Sequence, residues 1–166
     1  RALQMAARPD AGGSPASTLI APEASAGTWV LETTAGTIRI ALRADTAPEA
    51  LRLLAATTRE GTYRQTTFHR VVPGFVAQGG DPRGDGYGGT SRIIPTELSG
   101  ERFERGAVGI ALAGLDTGGT QFFITLTDSP HLDARYPYVG QVISGMNVAD
   151  RLMTGDQIVS AAVIAP

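Results

Sequence analysis

Apolar and polar residues begin to alternate regularly at Thr28. Trp29, Leu31 and Thr33 share one parity, and Val30, Glu32 and Thr34 the other; Ile38, Ile40 and Leu42 then alternate with Thr37, Arg39 and Ala41. A period of two puts successive side chains on opposite faces of a strand, and Ala35-Gly36 between the runs predicts a β-hairpin. The period then lengthens. Leu51, Leu54, Ala55 and Thr58 follow helical spacing; Thr46 and Glu49 predict a capping box, Pro48 fits the first turn, and Gly61 is the expected stop. Further strands are predicted over residues 75–78, 108–112, 120–126 and 138–143, a short second helix over 147–153, and a closing strand over 157–164. Within 120–126, Phe122, Ile124 and Leu126 share one face, while Gln121 and Phe123 are aimed together at the other. No internal repeat is present. Many short strands with two helices predict an all-β barrel or sandwich, and periodicity alone leaves both open.

Residues 1–27 lack this order. They are rich in Ala, Gly, Ser and Pro and predict a flexible tail or linker ahead of one domain over 28–166. The chain starts without Met and without a signal-peptide core, which fits a processed, extracytoplasmic protein or a part of a larger chain and leaves a cytoplasmic one open. The whole has 166 residues, enough for one sizeable core. A net charge of −2 gives no sign of a nucleic-acid partner. With no Cys, disulfides and thiolate chemistry are excluded, and with two His a histidine-rich metal site is not expected. No apolar run approaches the length of a membrane span.

One stretch breaks the pattern and concentrates chemistry. Phe68-His69-Arg70-Val71-Val72-Pro73-Gly74-Phe75-Val76-Ala77-Gln78-Gly79-Gly80-Asp81 is followed by a glycine-rich run from Gly84 to Gly89. So many glycines make a folded loop whose backbone can approach a neighbour closely. The loop lacks the Lys of a P-loop and the spacing of a dinucleotide fingerprint, and Asp81, Asp85 and Asp116 make no convincing metal set. The two His and the absence of a nucleophile elbow argue against a Ser–His–Asp hydrolase.

This stretch resembles the signature of the cyclophilin-type peptidyl-prolyl isomerases: Phe-His-Arg, two apolar residues, Pro-Gly-Phe, two variable residues, then Gln-Gly-Gly-Asp. The resemblance, that of a bacterial-like member, extends over about residues 28–164. It implies a closed eight-stranded antiparallel β-barrel capped by two helices. The activity it implies is rotation about X–Pro bonds in peptides and unfolded or folding chains, by a monomer and without metal or cofactor. A non-catalytic proline-peptide-binding or chaperone module on the same fold is the rival.

The barrier to that rotation, about 18–20 kcal/mol, is lost amide resonance, and in the twisted state the prolyl nitrogen gains a lone pair. A fixed cation beside that nitrogen stabilises the twisted state above the planar one. By resemblance, Arg70 is that cation. Phe75, Phe123 and Leu132 would form an apolar cup for the proline ring. Gln78 would hold the substrate or Arg70, and Gln121 would contact the substrate backbone. Val76, Gly86 and Ala111 match positions that line the groove. Without the resemblance, Arg70 would read as a surface Arg and the two Phe as core. Phe75 and Gln78 are three apart, which simple alternation sends to opposite faces; the pattern offers no account of this, and a local bend could supply one. His69 is expected to support the site through hydrogen bonds, since the reaction moves no proton. Three positions depart from the family's commonest pattern: Leu112 for Asn, His131 for Trp and Tyr136 for His. These remain groove positions, and His131 implies weak binding of cyclosporin.

Overall fold

Residues 27–166 are described by a computed structural model. The tail expected over 1–27 lies, Gly27 apart, outside the described residues. Eight strands make one antiparallel sheet: β1 (Thr28–Thr33), β2 (Gly36–Leu42), β3 (Arg70–Val72), β4 (Val76–Gly79), β5 (Ala107–Ile110), β6 (Phe122–Thr125), β7 (Tyr138–Ser144) and β8 (Ile158–Ile164). Their spatial order is β3-β4-β6-β5-β7-β2-β1-β8. Helix α1 (Pro48–Arg59) packs on β8, helix α2 (Met146–Ala149) on β2, and a 3-10 turn spans Pro130–Leu132.

The alternation of the first hairpin is used as the sequence predicts. Trp29, Leu31, Ile38, Ile40 and Leu42 enter the main core, with Trp29 opposite Ile40 and Leu31 opposite Ile38. Ala77, Phe122 and Ile124 join them from β4 and β6, and Leu51 and Leu54 from α1. Each fully buried Leu, Ile or Phe of this kind contributes about 1.5–3 kcal/mol. Trp29, Tyr63, Phe68 and Phe122 meet edge-to-face, with centroids 4.8 to 6.0 Å apart, an arrangement that suits the ring quadrupoles. Phe68, the first residue of the signature, is thus a core anchor that fixes where β3 begins.

Closure of the barrel is only partial. β3 and β8 are the two edges of the sheet and do not pair with each other. The chain just ahead of β3 spans the gap instead. Thr67 bridges both Asp81 and Gln157, Ile158 donates to the Thr66 carbonyl at 2.8 Å, and Phe68 donates to that of Asp156 at 2.8 Å. A continuous ladder fails here because Gln65 takes a left-handed conformation (φ 66) and Phe68 turns inward, leaving β3 only three residues long.

Two local expectations are also corrected. There is no capping box on α1: the N-cap is Ala47, and the Thr46 hydroxyl donates to the carbonyls of Arg43 and Tyr138. The first amides of the helix are taken instead by Glu97, whose carboxylate accepts from Glu49 N at 3.0 Å and Ala50 N at 2.9 Å. A carboxylate there meets both the unpaired amides and the positive end of the helix. Glu97→Ala should therefore lower the unfolding free energy by about 0.5–2 kcal/mol, read as a reduced urea midpoint at unchanged slope; an unchanged midpoint would contradict this cap. The second helix is shorter than expected, four residues rather than seven, because after Ala149 the bonds tighten to Arg151 N on Val148 O and Leu152 N on Ala149 O. Gly61 does end α1, with φ +76 and its amide on the Thr58 carbonyl.

Candidate active site

The sheet has a second, smaller apolar cluster on its outer face: Val76, Phe103, Ala107, Phe123, Leu132 and Tyr138. The site is built on it by register. Arg70 on β3 stands opposite Gln78 on β4, Gln78 opposite Phe123 on β6, and Phe123 opposite Gly109 on β5. Paired residues of neighbouring strands project to the same face, so a guanidinium, an amide and an aromatic ring lie in one row. The row ends in a glycine for a reason: a Cβ on Gly109 would stand 2.5 Å from Phe123 Cζ and 2.7 Å from Phe103 Cε1. The bare backbone lets the Phe123 ring settle against Phe103 (centroids 5.4 Å), while Tyr136 meets it edge-on at 5.4 Å and 81°.

Phe75 and Gln78 line one pocket despite their spacing of three. Phe75 precedes β4, in the turn of the β3–β4 hairpin: its amide donates to the Val72 carbonyl at 3.0 Å, and Gly74 takes φ 70. Strand alternation does not apply to it. A pocket of about 330 Å³ results, lined by Arg70, Phe75, Val76, Gln78, Ala111, Leu112, Phe123, Leu132 and Tyr136. Its floor is buried and apolar, and Arg70 is exposed at its edge. His131 does not line it. That ring is exposed and stacks on Phe75 from outside, with centroids 5.3 Å apart and planes at 29°.

A second pocket, about 480 Å³, adjoins the first along Gln78, Ala111 and Leu112. Gly86 and Gln121 line this one rather than the first, together with residues that the sequence pattern does not single out, among them Arg83, Tyr87, Arg92 and Ile93. Tyr87 is 88% exposed and Ile93 70%, both in an irregular stretch between β4 and β5 where no periodicity could mark them. Leu112 lines both pockets and so forms the ridge between them.

Polar contacts tie the site to the glycine-rich loop. Arg70 Nη1 approaches Gln78 Oε1 at 3.5 Å, Gln78 Nε2 donates to Gln121 Oε1 at 3.1 Å, and Gln121 Nε2 donates to the carbonyls of Gly86 and Gly88, each at 2.9 Å. Asp81 is fully buried. Its two oxygens accept from Arg83 N at 2.8 Å and Gly86 N at 2.6 Å. Burial works against its charge, yet the amides of Arg83, Gly88, Gly86 and Gly84 hold its carboxyl below the ordinary value.

His69 makes no side-chain hydrogen bond of the kind expected of it among the described residues. Its Nδ1 is buried without a hydrogen-bond partner, and its ring lies 3.6 Å from where a Cβ on Gly86 would stand. It packs against the loop rather than bonding to it. Burial pushes its pKa down from 6.5; Asp81 and Asp85 oppose that shift and Arg70 adds to it. His69 is then neutral above pH 6.5, and kcat/KM should be nearly flat from about pH 6 to 9; a sharp limb within that range would contradict a cycle that moves no proton. Stability has a sign too. Both His69 and Asp81 have folded values depressed below their unfolded ones, so each contributes stability that is complete above the unfolded value and lost as pH falls through the folded one. The melting temperature should drop in two stages, first below about pH 6.5 and then below about pH 3.8, and His69→Asn should abolish the first; a first stage that survived in that variant would contradict the assignment.

The site is thus an apolar cup on a curled antiparallel sheet, with a cation at its edge and a second groove beside it. The family model for cyclophilin type peptidyl-prolyl cis-trans isomerase/CLD matches residues 28–164, and the chain belongs to that family. Among its curated relatives, a peptidyl-prolyl cis-trans isomerase of Helicobacter pylori is 39% identical over 82% of this chain and 86% of its own length. Peptidyl-prolyl cis-trans isomerase B of Bacillus subtilis is 42% identical over 72% and 85%. Of solved structures, the Cryptosporidium parvum cyclophilin type peptidyl-prolyl cis-trans isomerase, determined in the presence of the dipeptide Ala-Pro, superposes with a TM-score of 0.77 at 28% identity, covering 84% of this chain and 99% of that one.

Proposed function

We propose that residues 28–166 form one domain that catalyses cis-trans rotation about X–Pro bonds in peptides and in unfolded or folding chains, with Arg70 as the catalytic group. The observation that carries this reading is the row Arg70–Gln78–Phe123 beside the apolar pocket. A proline ring held on Phe123, Leu132 and Phe75 is fixed while the preceding carbonyl turns. The guanidinium, steadied by Gln78, presents a directional donor to the prolyl nitrogen as that atom becomes pyramidal. Its charge persists at any working pH, and nothing in the cycle requires a proton to leave the protein. Gln121 and the backbone of Ala111 and Leu112, on the ridge between the pockets, would hold the flanking peptide. No bond is made or broken. A stabilisation confined to the twisted state of roughly 5–7 kcal/mol corresponds to four to five decades in rate. A protease-coupled assay on a prolyl peptide tests the activity: first-order cis-to-trans conversion should accelerate in proportion to enzyme, and a rate indistinguishable from the uncatalysed one would overturn the reading.

The place of His131 gives a second, independent check. An imidazole stacked on Phe75 has less area than the indole common in the family and does not put a donor where an indole does. The lost bond and area correspond to about 1–3 kcal/mol, or about one to two decades in cyclosporin affinity. Peptide turnover, which uses the pocket itself, should change much less. Inhibition curves for the natural protein and His131→Trp should therefore separate, with the variant tighter; coincident curves would contradict the role given to position 131.

A further inference from the structure

The glycine-rich loop decides which way two site amides face. Gln121 can turn its side-chain amide either way round, but the carbonyls of Gly86 and Gly88 both lie 2.9 Å from one end. Two acceptors there demand the NH2 group. Oε1 of Gln121 is thereby turned toward Gln78, and it demands the NH2 of Gln78 at 3.1 Å. Gln78 must then offer its own Oε1 to Arg70, an acceptor facing a cation. If the loop carbonyls moved away, both amides could turn over, and Gln78 would present NH2 to a guanidinium that has only donors.

What holds those carbonyls is one buried carboxylate. Asp81 has no exposed surface. Its Oδ2 accepts from Gly86 N, the amide of the very residue whose carbonyl receives Gln121. Its Oδ1 accepts from Arg83 N, and its backbone carbonyl accepts from Gly84 N at 3.1 Å. Gly88 passes so near that a Cβ there would stand 1.8 Å from Asp81 Oδ1. The loop is wrapped around the carboxylate on one side and caught by Gln121 on the other.

We propose that Asp81 is a positioning residue for the isomerase reaction: through the loop carbonyls of Gly86 and Gly88 it sets the orientation of the Gln121 and Gln78 amides, and so the acceptor that steadies Arg70. Asp81 touches neither Arg70 nor the pocket lined by it. This inference rests on the isomerase reading and adds a direction of control, from a buried acid to an exposed cation through two neutral amides. A neutral Asn at this position keeps one acceptor oxygen and sets an NH2 group against a backbone N–H, which frees at least one arm of the loop.

The test is a double-mutant cycle on kcat/KM, each variant assayed well below its melting temperature. Asp81→Asn should lower kcat/KM at least fivefold. In a Gln121→Ala background, where the amide that reads the loop is gone, the same substitution should change kcat/KM less than twofold. A merely structural role would multiply the two losses instead, and that result, or wild-type turnover in Asp81→Asn, would overturn the proposal. Gly88→Ala serves if Asp81→Asn does not fold. It retains Asp81 but forces a methyl group into the contact, and it should lose activity in the same direction; a folded Gly88→Ala with wild-type kcat/KM would overturn the proposal equally. An inactive natural protein would overturn the isomerase reading itself, whereas an active one indifferent to Asp81→Asn would overturn only this inference.

Discussion

Arg70→Ala should lower kcat/KM by about one to three decades, or about 1.4–4 kcal/mol of transition-state stabilisation, with little change in stability. Arg70 is exposed, at the end of the shortest strand, and enters no ion pair among the described residues, so removing it leaves no buried charge behind. What is lost is a cation held at the edge of an apolar pocket. Arg70→Lys should lose much of the activity as well, because an ammonium on a flexible stem cannot keep the planar fork that Gln78 steadies. The measurement is kcat/KM with one prolyl peptide for the natural protein and both variants. An alanine variant as active as the natural protein would show that the pocket catalyses by holding the ring alone.

Phe123→Ala should have the largest effect on stability of any change in the site, about 3–5 kcal/mol for a buried Phe truncated to Ala. The ring is 5% exposed and is clasped by Phe103 and Tyr136. Gly109 leaves bare backbone beneath it, so nothing can move in to fill the space. The same cavity would open the proline cup at its base, and KM should rise by more than kcat falls. Urea unfolding of the two proteins measures the first effect. A difference below about 1 kcal/mol would mean that the outer cluster packs independently of the ring.

The parts of the fold that depend on near neighbours are legible in the sequence. Trp29, Leu31, Ile38 and Ile40 alternate because one face of each strand is buried, and Leu51 and Leu54 recur because one face of α1 is. What escapes is set from afar. The cap of α1 comes from Glu97, 48 residues beyond Glu49, and no local signal could announce it. β3 is too short for alternation to register, and the gap between the sheet's edges is bridged through Thr67, whose two partners lie in distant segments. Site residues divide in the same way. Parity correctly sends Phe123 away from the core face of Phe122 and Ile124, but it misleads for Phe75, which belongs to a turn. The row from Arg70 to Gly109 exists only through strand pairing, so the resemblance could name Arg70, Gln78 and Phe123 while their alignment, and the place of Gly109, needed the register. Of the second pocket, the resemblance named Gly86, Ala111, Leu112 and Gln121, whereas Tyr87 and Ile93, on an irregular stretch, carried no periodicity to mark them.

Exchange spectroscopy on an Ala-Pro-containing peptide separates an isomerase from a module that only grips proline. The peptide's cis and trans forms give distinct resonances and interconvert over tens to hundreds of seconds when uncatalysed. With a small fraction of the natural protein added, cross-peaks between the two forms should appear on the sub-second scale and should fade in Arg70→Ala while the binding-induced shifts persist. Shifts that show binding by the natural protein without any cross-peaks would contradict catalysis at this site.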